Sequence, residues 1–334
     1  MDFIKFKDKV KLNPYQPIYF LYGEEAYFID QLSAFIVEQT VEPAMKDFNF
    51  MLLYGEDASY ANLMDSVSRY PMMAEHQVVV LREAQRMKEF DMMHTYFAQP
   101  QSSTVFIIEY KNKIDKRLKH FKHLAKLDTA FESKKVRDYE IANWIMAYIK
   151  SQKGDISIQN AQLIAEHLGS DLNKVVNEIQ KLTINLGPGA KITGDDIEKY
   201  IGISKDYNIF ELQKAIGLRD HGRVIKITEH MAHNEKDFPL VMLVSILFNY
   251  FSKIYMFHFL KQSPPAEKMK ALGLGSAFFL KEFEQASKNY PLDKCEKVLR
   301  LLQDFDLRSK GIGNPSGEKG GLVKELIIRM TECN

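Results

Sequence analysis

Residues 17–30, PIYFLYGEEAYFID, set a glycine between an apolar, β-rich run and a helical pattern. Strand, glycine, helix is the frame in which proteins handle phosphates. In a P-loop, G-x-x-x-x-G-K followed by Ser or Thr, the glycines let backbone N–H groups wrap the phosphates. The lysine meets the outer phosphates and the hydroxyl holds magnesium. Gly23 opens that frame, but Phe28, Ile29 and Asp30 stand where glycine, lysine and the hydroxyl are required. Glu24 and Glu25 occupy the helix start, where carboxylates favour the helix dipole by about 0.3–1 kcal/mol each and repel a triphosphate. The same entry recurs in LYGEDASY, residues 53–60, which is what a capped strand-to-helix turn produces. An ATPase also needs paired acids at a strand end to organise magnesium and water. HQVVVLREA ends on Arg82 and Glu83, and STVFIIEY on Glu109 and Tyr110; neither is an acid pair. These residues predict a degenerate nucleotide site with no bound cofactor and no catalysis by this chain.

Two other stretches have the composition to bind rather than to react. Between Lys111 and Arg137, ten basic residues face three acids, for a net charge of +7. Lys113, Lys116, Arg117 and Lys119 are candidates for sequence-independent contact with DNA phosphates; a solvated helix face, with Ile114, Leu118, Phe121 and Ala125 turned inward, is the alternative. His120 and His123 have a spacing that suits a metal, as do His230 and His233, but neither pair has a third ligand in view, so no metal site is expected. In RYPMMAEHQ, Pro71 disfavours the helical region for Tyr70, so the helix carrying Leu63 and Val67 ends there. Met72 and Met73 then fall in a turn. Methionine is flexible and polarizable and suits a protein-binding surface; packing beneath the domain's own sheet is the competing use.

These residues need elements to hold them. Up to about residue 135, the runs PIYFLYG, FNFMLLYG, HQVVVLREA and STVFIIEY, with TAFESKK as a weaker fifth, alternate with helical stripes such as Phe28, Leu32, Phe35, Ile36 and Leu63, Val67, Tyr70. That alternation predicts a mostly parallel sheet covered on both faces. After about residue 138 the strand signals stop and helices follow, among them YEIANWIMAYIKSQKG; the glycine-rich stretch KGIGNPSGEKGG, residues 310–321, precedes the last one. The boundaries predict units at 1–137, 138–205 and 206–334.

A net charge of +1 excludes attraction of the whole molecule to nucleic acid or to an anionic membrane, so any such partner needs a local patch. Two cysteines, Cys295 and Cys333, without zinc spacing, fit a reducing cytoplasm, as does an N-terminal stretch lacking a signal peptide's apolar core. FPLVMLVSILFNYFSKIYMFHFL, residues 238–260, is long and apolar, but Asn249, Ser252, Lys253 and His258 interrupt it, which predicts a buried helix.

In order and spacing, PIYFLYGEEAYFID, YPMMAEHQVVVLREA, KNKIDKRLKH, LGSDLNKVVNEIQKL and ITGDDIEKYIG…NIFELQKAI make a pattern that covers most of the chain. It resembles the delta subunit family of the bacterial DNA polymerase III clamp loader. Asn177, Glu178, Lys181 and Leu182 lie in its more specific part. The resemblance implies an AAA+ α/β domain with a degenerate P-loop, then a small helical lid, then an all-α collar. It implies a non-catalytic subunit that binds the beta sliding clamp and helps open it for loading onto primed DNA. The collar would join the other loader subunits, gamma/tau and delta-prime. The family places two adjacent large apolar residues just before its third strand, which here are Met72 and Met73, after Pro71. A divergent AAA+ ATPase and the ATP-inactive delta-prime type are the alternatives; the latter's zinc-binding cysteines and Ser-Arg-Cys motif are absent from this sequence.

Overall fold

The computed structural model describes residues 3–204, 206–234, 236, 238–312 and 319–332. The chain divides into two compact units, 1–136 and 137–334.

The first unit is built on five parallel strands, β1 (Ile18–Gly23), β2 (Phe50–Tyr54), β3 (Gln77–Arg82), β4 (Thr104–Tyr110) and β5 (Ala130–Ser133), in the order β2-β3-β4-β1-β5. Its central strands are apolar without alternation because both faces are covered. On one face, Tyr19, Leu21, Val78, Val80, Val105 and Ile107 pack against α1 (Phe3–Leu12) and α2 (Ala26–Thr40) through Phe6, Val10, Ile29, Leu32 and Ile36. On the other, Phe20, Tyr22, Val79, Leu81, Phe106 and Ile108 meet α4 (Tyr60–Ser68), α5 (His94–Ala98) and α6 (Lys119–Leu124). A short α3 (Lys46–Asn49) leads into β2.

Two local expectations need correction. Ile114, Leu118, Phe121 and Ala125 do not form one inward helical stripe. The Asp115 carboxylate accepts from the backbone N–H of Arg117 at 3.0 Å, and the Asp115 carbonyl accepts from Leu118 at 3.0 Å, so a turn replaces the first part of that helix. Leu118 becomes an extended, exposed cap, and only Phe121 and Leu124 of α6 are buried. Tyr70 likewise leaves its stripe: α4 ends at Ser68, before the X-Pro step, and Tyr70 is exposed.

The second unit comprises α7 (Ile141–Ser151), α8 (Ile158–Leu168), α9 (Leu172–Leu186), α10 (Gly194–Ile201), α11 (Ile209–Leu218), α12 (His221–His233), α13 (Leu240–Phe259), α14 (Pro265–Leu272), α15 (Leu280–Asn289), α16 (Leu292–Ser309) and α17 (Lys319–Glu332). It also holds a parallel pair of two-residue strands, β6 (Asp155–Ile156) and β7 (Lys191–Ile192), in a region expected to be wholly helical. Helices α11 to α17 share one apolar core. The helix α13 is long and apolar enough to cross a membrane by length and composition, but Leu243, Val244, Leu247, Phe251 and Ile254 are buried in that core. Of the glycine-rich stretch, residues 313–318 lie outside the described residues, as does Cys333.

Within this unit, Glu166 on α8 accepts from Gln162 Nε2 at 2.6 Å. Burial pushes its carboxyl up to about 8, with the Gln162 hydrogen bond and Lys253 opposing and Glu282 adding to the rise. A carboxyl raised in the folded state takes up protons on folding, so its contribution to stability is present below pH 4.5 and is lost as pH rises through about 8. Glu166→Gln is therefore expected to flatten the fall in stability of this unit between pH 4.5 and pH 8, read by the fluorescence of its single tryptophan, Trp144.

Candidate functional site

The strand-to-helix turn that opens the phosphate frame is closed by its own chain. Gly23 has φ +136°, and a Cβ there would lie 1.9 Å from the Ser133 carbonyl oxygen, so only glycine lets β1 and β5 come together at their ends. The next amide, Glu24 N–H, donates to that same carbonyl at 3.0 Å. Ser133 Oγ donates to the Glu25 carbonyl at 2.7 Å, and the buried Glu25 carboxylate caps α2 by accepting from Tyr27 N–H. Helix α2 begins at Ala26, three residues after Gly23. Two of the amides a P-loop would aim at phosphate, those of Glu24 and Tyr27, are thus spent on the fold. Phe28 packs 5.1 Å from Phe3, ring centre to ring centre, and Ile29 is buried in the core.

Asp30, in the magnesium-hydroxyl position, instead meets a lysine from a neighbouring strand end. Lys111 Nζ lies 2.6 Å from Asp30 Oδ1, 3.2 Å from Glu83 Oε1 and 3.9 Å from Glu109 Oε2. Arg82 Nε lies 3.3 Å from Glu109 Oε2. Burial raises the Glu109 carboxyl above the ordinary range, while Ser33, Arg82 and Lys111 oppose it. Burial would lower Lys111, but its hydrogen bonds and ion pairs with Asp30 and Glu83, together with the charge on Glu109, hold it above the ordinary lysine value. Two cations and three carboxylates thus bind one another at the end of the sheet where a nucleotide site would lie.

The first part of the basic run is internally paired. Lys113 meets Glu24 at 3.1 Å, Lys116 meets Glu132 at 3.2 Å, and Arg117 meets Asp115 at 2.7 Å. Lys119, Lys122, Lys126, Lys134 and Lys135 are exposed. His120 lies against Phe90 and Phe121, and His230 stacks on Tyr207 at 4.8 Å. Among the described residues no group of three His, Cys, Asp or Glu side chains is placed to hold a metal ion.

The turn after α4 differs from both, because it presents apolar side chains to solvent. Met72 is 54% and Met73 90% exposed; Tyr70 and Phe48 are exposed as well. Met73 has φ +53°, a left-handed conformation that costs a non-glycine residue roughly 1–2 kcal/mol. Buried polar side chains hold the turn. Asn49, at the end of α3, accepts from Met72 N–H at 2.7 Å and donates to Met72 O at 2.9 Å. Gln77, the first residue of β3, donates through Nε2 to Ser66 O, Arg69 O and Thr104 Oγ1 at 3.1, 2.5 and 2.9 Å. In the sequence, Asn49 and Gln77 stand only as parts of the strand runs FNFMLLYG and HQVVVLREA. Their polarity at the mouths of apolar strands was the available signal, since a buried amide needs partners.

With this geometry in view, residues 19–134 match the family described as DNA polymerase III, delta subunit. The DNA polymerase III subunit delta of Bacillus subtilis (strain 168) is 26% identical over 249 residues, covering 71% of this chain and 72% of that protein. The solved structure of the Bacillus subtilis DNA clamp loader delta protein has the same fold, with a TM-score of 0.58 at 20% identity, over 99% of this chain and 100% of that one.

Proposed function

We propose, for a chain whose residues 19–134 match the DNA polymerase III delta subunit family, that it serves the clamp loader by gripping the beta sliding clamp with the turn at Pro71, Met72 and Met73. The observation that carries this reading is an apolar pair held in solvent on a turn fixed by hydrogen bonds from the buried Asn49. A flexible loop would lose ordering entropy on binding; a turn already held loses less. The chain takes no part in ATP hydrolysis, because the Glu24 and Tyr27 amides and the Asp30 position of the nucleotide frame are committed within the fold. ATP bound by neighbouring gamma/tau subunits would then act by changing access to this turn. A higher affinity for the open clamp than for the closed one would shift the ring toward opening, and only through that difference.

Residues 138–205 make the lid and 206–334 the collar that joins gamma/tau and delta-prime, in the bacterial cytoplasm. Primed DNA enters as a partner of the assembly. Lys119 is free to meet its phosphates, whereas Lys113, Lys116 and Arg117 would first exchange carboxylate partners.

The test is binding of the purified full chain to the clamp with and without ATP. The expected result is one affinity in both conditions and no phosphate release. ATP turnover by the isolated chain would overturn the non-catalytic part, and absence of clamp binding would overturn the rest.

A further inference from the structure

The interaction that sets the shape of the exposed turn comes from a residue 23 positions earlier. The buried Asn49 side chain spends its oxygen on Met72 N–H and a hydrogen of its amide nitrogen on Met72 O. It thereby grasps both polar groups of one exposed residue, as a neighbouring strand would. Next to the held Met72, Met73 takes a left-handed conformation on the way to β3, and its side chain lies almost wholly in solvent. Strain held by surrounding structure at an exposed apolar residue is characteristic of positions that are shaped for contact.

We propose that Asn49 is a positioning residue for partner binding: it touches nothing outside the domain and acts by holding Met72 and Met73 in the binding arrangement. This rests on the reading of that pair as the clamp contact. Without the amide, the turn samples other conformations, and apparent affinity falls in proportion to the fraction that remains competent. A competent fraction of about one tenth makes binding about tenfold weaker.

The experiment measures clamp affinity of the full chain carrying Asn49→Ala, alone and combined with Met72→Ala and Met73→Ala, and follows amide hydrogen exchange. The expected result is about tenfold weaker binding for Asn49→Ala alone. No further loss is expected when the methionines are already gone, because two residues acting through one contact do not add. Exchange is expected to speed up at the Met72 amide and to stay slow at Val79 and Ile107 in the sheet. A purely structural role would instead expose those sheet amides. If they are exposed, Asn49→Asp decides, since it keeps the volume and the acceptor for Met72 N–H but sets a carboxylate oxygen against Met72 O in place of the donor. A loss of about threefold or more, with the sheet amides protected, supports positioning; an unchanged affinity overturns it. Asn49→Ala with full affinity, while the methionine variant binds weakly, overturns the positioning role and leaves the clamp contact standing. If the methionine variant binds normally, the contact itself is wrong and the positioning role goes with it.

Discussion

On the proposed clamp contact, replacing Met72 and Met73 together by alanine is expected to weaken clamp binding by about 30- to 1,000-fold and to leave the fold intact. Fully burying a methionine side chain is worth about 1.5–3 kcal/mol, and alanine keeps only a small part of that, so each replacement forfeits about 1–2 kcal/mol. Together that is about 2–4 kcal/mol, and each 1.4 kcal/mol is tenfold in affinity. Interfaces concentrate their energy in a few such side chains. Met73, 90% exposed in the free chain against 54% for Met72, has the more surface left to bury, so its single replacement is expected to cost more. Stability moves by less than about 0.5 kcal/mol because neither side chain is part of a core. Both turn hydrogen bonds use the Met72 backbone, which alanine retains. Calorimetric titration of the clamp, beside thermal unfolding of the same samples, checks both halves; a change in affinity of less than about twofold would remove the pair from the contact.

The parallel sheet was legible because apolar runs buried on both faces read as continuous β-rich segments, and the strand ends at Gly23 and Gly55 mark where helices follow. The position of the Met72–Met73 turn followed from one residue, Pro71, acting on the backbone before it. What lay beyond the sequence was set by tertiary contact. Helix α1 has little apolar character by itself, yet Phe6 and Val10 close one face of the sheet. The Asx turn at Asp115 outcompeted a helical pattern that was otherwise regular. The clasp of Asn49 on Met72 joins segments whose adjacency exists only once β2 lies beside β3. The loss of the phosphate lysine was plain at Ile29, but Lys111 from the end of β4 as the new partner of Asp30 required the strand order, which places β4 beside β1.

Lys111→Met should therefore destabilise the first unit by about 2–4 kcal/mol. Removing one partner of a buried ion pair costs about 3–5 kcal/mol, because the remaining charge is left without compensation. Here the value is lower: the Lys111 side chain is 16% exposed, and Asp30 and Glu83, at 37% and 28%, are partly reached by water. Glu109, fully buried, bears most of the loss, with Arg82 as its remaining cation. The pH dependence has a definite sign. Burial already raises the Glu109 carboxyl above 4.5, and Lys111 is one of the groups holding it down, so the variant raises it further. A carboxyl raised in the folded state loses its stabilising contribution as pH climbs from 4.5 through the folded value. The defect of Lys111→Met is accordingly largest at neutral pH and shrinks on acidification toward 4.5. Adding Glu109→Gln removes the uncompensated charge and is expected to restore more than half of the lost stability, whereas two independent sites would add their costs. Trp144, in the second unit, supplies an internal control that should not move. Hydrogen exchange at Val80 and Ile107 reports the sheet directly, and protection there unchanged by Lys111→Met would mean that Arg82 alone compensates Glu109.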